Sequence, residues 1–112
     1  MNKIIFIAVL VLTFLFSCSK EKVAKGTPTC IKQKIDEFSK TECNDGVKVD
    51  EYKFEGDVVY VFEPGYCGAD MTSEVIDEDC NTLGYLGGIA GNTKINGVEF
   101  SKANFVKNTW KQ

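Results

Sequence analysis

The sequence predicts an α+β fold: one N-terminal helix packed on a small antiparallel β-sheet and stapled by disulfides. Three observations predict it. One stretch of helical apolar period near residue 30 precedes a run of short segments rich in Val, Tyr and Phe. Turn residues separate those segments at short intervals, which suits hairpins rather than crossover helices. Four cysteines, Cys30, Cys43, Cys67 and Cys80, are spread across helix and strands.

The helix opens at Thr27-Pro28. Thr27 is placed to cap, and Pro28 suits the first turn, where its absent N–H is not missed. Ile31, Ile35 and Phe38 recur at i, i+4 and i+7 and make one apolar stripe. Lys32 and Asp36 stand four apart on the outer face. Asn44-Asp45-Gly46 is a turn cluster, so the helix is expected to end near Lys40.

Val47–Phe54 and Asp57–Glu63 read as two strands joined by a hairpin at Glu55-Gly56. Val58–Phe62 is apolar at every position, so this strand should be central and covered on both faces. The first strand changes phase from Val47 and Val49 to Tyr52 and Phe54, which predicts a bulge near Asp50-Glu51. Pro64–Gly68 is a loop. Ser73–Asp77 and Thr82–Leu86 are the next strands, with a turn at Asp79-Cys80-Asn81 and a stop at Gly87-Gly88. Asn96-Gly97 is a strong turn signal. Val98–Phe100 and Asn104–Trp110 read as closing strands, although Ala103, Val106 and Trp110 also fit a helical period.

This order places the cysteines. A short link makes the helix antiparallel to the first strand. Cys43 then shares one end of the sheet with Cys67, and Cys30 shares the other with Cys80, within the Cα separation of about 7 Å that a disulfide needs. The nested pairs Cys43–Cys67 and Cys30–Cys80 are therefore favoured. The sequential scheme, Cys30–Cys43 with Cys67–Cys80, asks for partners at opposite ends of a helix.

The 112 residues allow one domain, over residues 28–112. What precedes it reads as an export signal over residues 1–17: Lys3, an unbroken apolar run from Ile4 to Phe16, then Ser17-Cys18. A helix of that length rises about 20 Å, short of the roughly 30 Å of a bilayer core. A cysteine directly after the small Ser17 suits the lipoprotein form of the signal, in which the Cys18 thiol carries the lipid. Acylation of Cys18 would leave an even set of four cysteines, as an oxidising compartment favours. Residues 18–27 then form the lipidated N-terminus and a flexible tether. Ser19, in place of Asp, points by analogy to the outer membrane.

Composition excludes several classes. With no histidine, Ser-His-Asp and Cys-His nucleophiles are out, and so are histidine metal sites. No C-x-x-C pair exists to hold zinc. Twelve acids in residues 42–79 oppose only Lys48 and Lys53, and such an acidic body disfavours nucleic acid and anionic lipid surfaces. The motifs that remain are weak. Cys67-Gly68-Ala69-Asp70 has the look of a nucleophile elbow but lacks a base. Asp77-Glu78-Asp79, with Asp70 and Glu74, offers oxygens to calcium without the D-x-D-x-D-G-x5-E loop. Leu86–Asn92 is Gly-rich, yet matches neither G-x-G-x-x-G nor the P-loop, so no cofactor is expected. Tyr52, Tyr60, Tyr66, Tyr85 and Trp110 are candidates for an aromatic binding face.

Cys18, the Cys30-led helix, Val59-Tyr60-Val61-Phe62, Cys67-Gly68-Ala69-Asp70 with Ser73–Asp77, and Leu86-Gly87-Gly88-Ile89 together resemble a family of small, uncharacterised bacterial lipoproteins. Relatives often carry Gly-Asp-Gly-Cys after the double glycine, where this chain has Asn92–Gly97. The resemblance implies lipid anchoring and carries no information on mechanism.

The expectation is a non-enzymatic binding or accessory module of the cell envelope. It would be membrane-attached through Cys18 and have a protein or small-molecule partner of unknown identity. Two alternatives come from other classes. A protease inhibitor would use the stapled loop Pro64–Asp70. A carboxylate-based hydrolase would use Asp70 with Glu63 or Asp77, which needs the pair about 5–10 Å apart in one hollow.

Overall fold

A computed structural model describes residues 22–40 and 43–112. The expected signal and Cys18 lie outside these residues. Helix α1 (Thr29–Phe38) is followed by strands β1 (Val47–Phe54), β2 (Asp57–Pro64), β3 (Thr72–Asp77) and β4 (Thr82–Gly87). Two short strands, β5 (Lys94–Ile95) and β6 (Val98–Glu99), lead through a 3₁₀ turn at Phe100–Lys102 to β7 (Asn104–Lys111). The main sheet is antiparallel in the order β4-β3-β2-β1-β7. Among the described residues no helix is long and apolar enough to cross a membrane.

Period-2 alternation sorts the sheet's side chains onto two faces. On one face Ile31 and Ile35 of α1 bury against Val47, Val49, Tyr60, Phe62, Ile76 and Trp110. Phe38 meets Phe62 edge-on at 5.3 Å between ring centroids. The other face gathers Phe54, Val59, Val61 and Val75 under Ile95, with Val98 and Phe100 packed alongside. The β5–β6 hairpin and the 3₁₀ turn therefore form a lid over the second face. This is why Val58–Phe62 of β2, the middle strand, is apolar throughout. Gly84 is what lets the lid close: a Cβ there would lie 3.0 Å from Ile95 Cδ1.

Both tight hairpins carry two consecutive positive-φ residues, Glu55-Gly56 at 51° and 82° and Asn96-Gly97 at 51° and 78°. That backbone twist matches the strands it joins.

Two local expectations fail for physical reasons. Thr27 does not cap α1. Pro28 is the N-cap, and the Thr27 hydroxyl donates instead to the Ala24 carbonyl at 2.7 Å. The bulge is not within β1, whose ladder with β2 is unbroken from Val47 to Phe54. The extra residues are Thr109 and Val106 of β7, at register shifts between Val49 and Asp50 and between Glu51 and Tyr52. The last segment is a strand, so its helical alternative is not adopted.

The edges of the sheet are also occupied. Beside β7, the Ala24 N–H donates to Thr109 O at 2.9 Å, the Lys107 ammonium donates to Lys25 O at 3.3 Å, and Val23 packs on the core. Residues 22–27, expected as part of a flexible tether, lie against the domain. At β4, the Asn92 amide donates to the carbonyls of Tyr85 and Lys94 at 2.6 and 2.9 Å.

Candidate functional site

The disulfides form the nested pairs. Cys30 is bonded to Cys80 and Cys43 to Cys67, with Cα separations of 6.2 and 5.7 Å. Their positions follow from strand direction. β1 begins and β2 ends at one end of the sheet, where Cys43 and Cys67 flank them. The start of α1 and the β3–β4 turn meet at the other end, where Cys30 and Cys80 sit.

The Cys43–Cys67 end carries the candidate site. The loop after β2 is held down by the disulfide and by Tyr66 N–H donating to Asp45 O at 2.9 Å. Gly65 permits the close approach: its φ is +86°, and a Cβ would strike the Asp45 carbonyl and lie 3.0 Å from Cys43 Sγ. The Tyr66 ring lies over Gly46 and is 77 % exposed. Beside it is a hollow of about 460 Å³ whose lining includes Glu63, Tyr66, Asp70, Met71, Ser73 and Gly88.

An ion-pair chain supports one wall. Lys48 Nζ lies 3.2 Å from the buried Asp50 carboxylate and 3.6 Å from Glu63. The hydrogen bond to Asp50 and the charges of Asp50 and Glu63 raise the Lys48 pKa above its ordinary value. Burial, then the same two carboxylates, raises that of the neighbouring Tyr52 phenol.

The structure separates the candidates. Glu63 and Asp70 share the hollow, whereas Asp77 lies at the opposite end of the sheet, lining a second hollow of about 270 Å³ with Asp57, Glu78 and Asp79. Asp77 is engaged in its own turn: Oδ1 accepts the N–H groups of Asp79 and Asn81 at 2.9 Å each, and Oδ2 accepts the Asn81 amide at 3.2 Å. Burial pushes its pKa up, and these bonds outweigh that and hold it below the usual value. Among the described residues no three His, Cys, Asp or Glu side chains are grouped to hold a metal ion. Cys67, bonded to Cys43, is no free thiolate.

In the Gly-rich segment, the N–H groups of Gly87, Gly88, Gly91 and Asn92 all donate to backbone carbonyls. They are not available to cradle a phosphate. The aromatic residues also part company: Tyr60 and Trp110 are core, Tyr52 packs with Phe100 and Phe105 on the lid face, and Tyr66 and Tyr85 are exposed. Sequence reading missed Met71 and Ile89, both exposed in loops at the Tyr66 end. Their only signal is an apolar side chain among glycines and polar residues.

Residues 35–112 match a domain-of-unknown-function family, DUF6970. The chain belongs to this family. The DUF6970 span takes in the whole sheet, the hollow, and Cys43, Cys67 and Cys80. Cys30 and the first half of α1 precede it. A search of curated proteins and one of solved structures each return no match.

Proposed function

We propose that the chain is a lipid-anchored envelope protein whose DUF6970 domain works without chemistry of its own, as a rigid binding or accessory module. One observation carries the reading: all four domain cysteines are paired, so Cys18 alone of the five is left to take a lipid. Paired cysteines suit an exported chain, and the apolar Ile4–Phe16 run ending at Ser17-Cys18 supplies the export signal. The outer membrane is the proposed destination. The surface offered to a partner is the Tyr66 hollow, braced by a disulfide. Mass spectrometry of the mature product, with and without Cys18→Ser, tests the anchor. Loss of Met1–Ser17 with added diacylglycerol and acyl mass is expected. An unmodified N-terminus refutes it.

Protease inhibition is the second reading, favoured by Tyr66 projecting from a disulfide-strapped loop. Incubating the protein with proteases that cut after aromatic residues would reveal inhibition at micromolar levels. Unaltered protease rates dismiss it.

A further inference from the structure

We propose that the Cys43–Cys67 end of the domain, with Tyr66, Met71 and Ile89 at its tip, rests in the interfacial layer of the bilayer that holds the lipid anchor. The inference rests on acylation of Cys18 and makes the bilayer itself the partner of the Tyr66 surface; its own content is the orientation and the three contacting side chains.

The N-terminal segment sets the direction. Ala24 N–H donates to Thr109 O and the Lys107 ammonium reaches Lys25 O, an order that makes the segment antiparallel to β7. Continued towards lower residue numbers, an antiparallel course points along β7 towards Trp110 and Lys111, and Val23 packs on the cluster that includes Trp110. Lys22, two residues before Ala24, is directed by that course to the end of the sheet marked by the bond from Gln112 N–H to Val47 O at 3.0 Å. The loops after β2 and β4 sit at this same end. Cys18 is four residues before Lys22, a reach of at most about 14 Å fully extended. The far end of the sheet is a strand length away, roughly 27 Å for eight residues. A lipid on Cys18 therefore draws the loop end, and not the opposite end, towards the membrane.

That end has the surface for it. Tyr66 is 77 %, Met71 46 % and Ile89 89 % exposed. Tyr66 and Met71 line one hollow with Gly88, whose N–H donates to Met71 O at 3.3 Å, and Ile89 is the next residue in the chain. Tyrosine suits the headgroup layer because its ring is apolar and its hydroxyl stays wet. Exposed Ile and Met gain by leaving water there. The opposite end presents Glu55, Asp57, Glu78 and Asp79, which anionic lipids repel, whereas of the two carboxylates in the hollow, Glu63 and Asp70, the first lies 3.6 Å from Lys48 Nζ. Phe105, also exposed, lies towards that end and stacks edge-on with Tyr52 at 5.6 Å.

The test uses the mature acylated chain in vesicles of phosphatidylethanolamine and phosphatidylglycerol, some brominated near the headgroup. Two variants, Ile89→Trp and Glu78→Trp, place a reporter at either end, and the native Trp110 is buried and gives a constant background. Ile89→Trp should emit to the blue of Glu78→Trp and be quenched at least about two-fold more by brominated lipid, and correspondingly less by iodide. If the chain carries its acyl mass and floats with the vesicles, yet iodide reaches both reporters equally, the orientation is wrong and the anchor stands. The same result holds if Ile89→Trp is shielded only as protein concentration rises, which would assign the patch to a second copy. A chain with no acyl mass that does not float overturns both readings.

Discussion

Asn108 donates through Nδ2 to Asp50 Oδ1 at 2.9 Å, across the interrupted ladder between β1 and β7. The same amide faces the carbonyls of Val49 and Trp110 at 3.4 and 3.2 Å. One side chain thus stands in for ladder bonds displaced by the extra residue Thr109, and helps satisfy a carboxylate that is only 4 % exposed. Asn108→Ala should cost about 1–2 kcal/mol, since it removes a hydrogen bond to a charged, desolvated group. A lower urea midpoint at unchanged slope is the expected reading.

Thr109 supplies the opposite case. It is 1 % exposed, and its Oγ1 has no hydrogen-bond partner among the described residues. Valine has almost the same shape without the hydroxyl. Thr109→Val should therefore stabilise the fold by about 1 kcal/mol. A melting temperature at or below that of the parent would contradict the assignment.

Alkaline pH should weaken the domain through Tyr60. Burial, with the nearby Glu51 and Glu78 charges, pushes its pKa up to about 12 from an ordinary value of 10.0. The unfolded chain therefore ionises first, and stability present below pH 10 is lost as pH rises towards 12. Each pH unit in that window costs about 1.4 kcal/mol from this group. Lys48, also raised, acts in the same direction: its contribution is full below its unfolded pKa and lost above its folded one. Urea titrations at pH 8 and pH 11 should differ less for Tyr60→Phe than for the parent. Asp77 works at the acid end, because a lowered carboxyl pKa gives stability that is lost as pH falls through it.

The two disulfides should differ in weight. Cys30–Cys80 spans 50 residues and Cys43–Cys67 spans 24. Chain entropy assigns the longer loop about 4 kcal/mol and the shorter about 3.5 kcal/mol. Replacing Cys30 and Cys80 by Ser should lower the unfolding midpoint more than replacing Cys43 and Cys67. The second variant should instead expose the Tyr66 loop to proteolysis, which limited digestion would read.

Val58–Phe62 announced a central strand because its apolar run has no other place to go, and the cysteine pairing followed from the direction of the strands around it. Thr109 and Val106 gave no such signal. A bulge residue has ordinary β-strand chemistry, and only the register with β1 makes it extra. Thr27 reads as a cap from its type, but its hydroxyl found the Ala24 carbonyl first. Docking of residues 22–27 was hidden for the same reason: one backbone N–H, one carbonyl and Val23 hold it, inside a lysine-rich segment that looks solvated. At the site, Glu63 and Asp70 were legible as carboxylates, but their shared hollow depends on how the strapped loop returns over β1.

Asn92 has a consequence for the life of the chain outside the folded state it helps form. An open outer strand is a template on which a neighbouring molecule can add its own, and repeated addition builds fibrils. By turning its amide onto the Tyr85 carbonyl and closing the ladder at Gly87, Asn92 removes part of that template on one rim, as Ala24 does on the other. Two chains meeting rim to rim would then find fewer open backbone groups on which to pair.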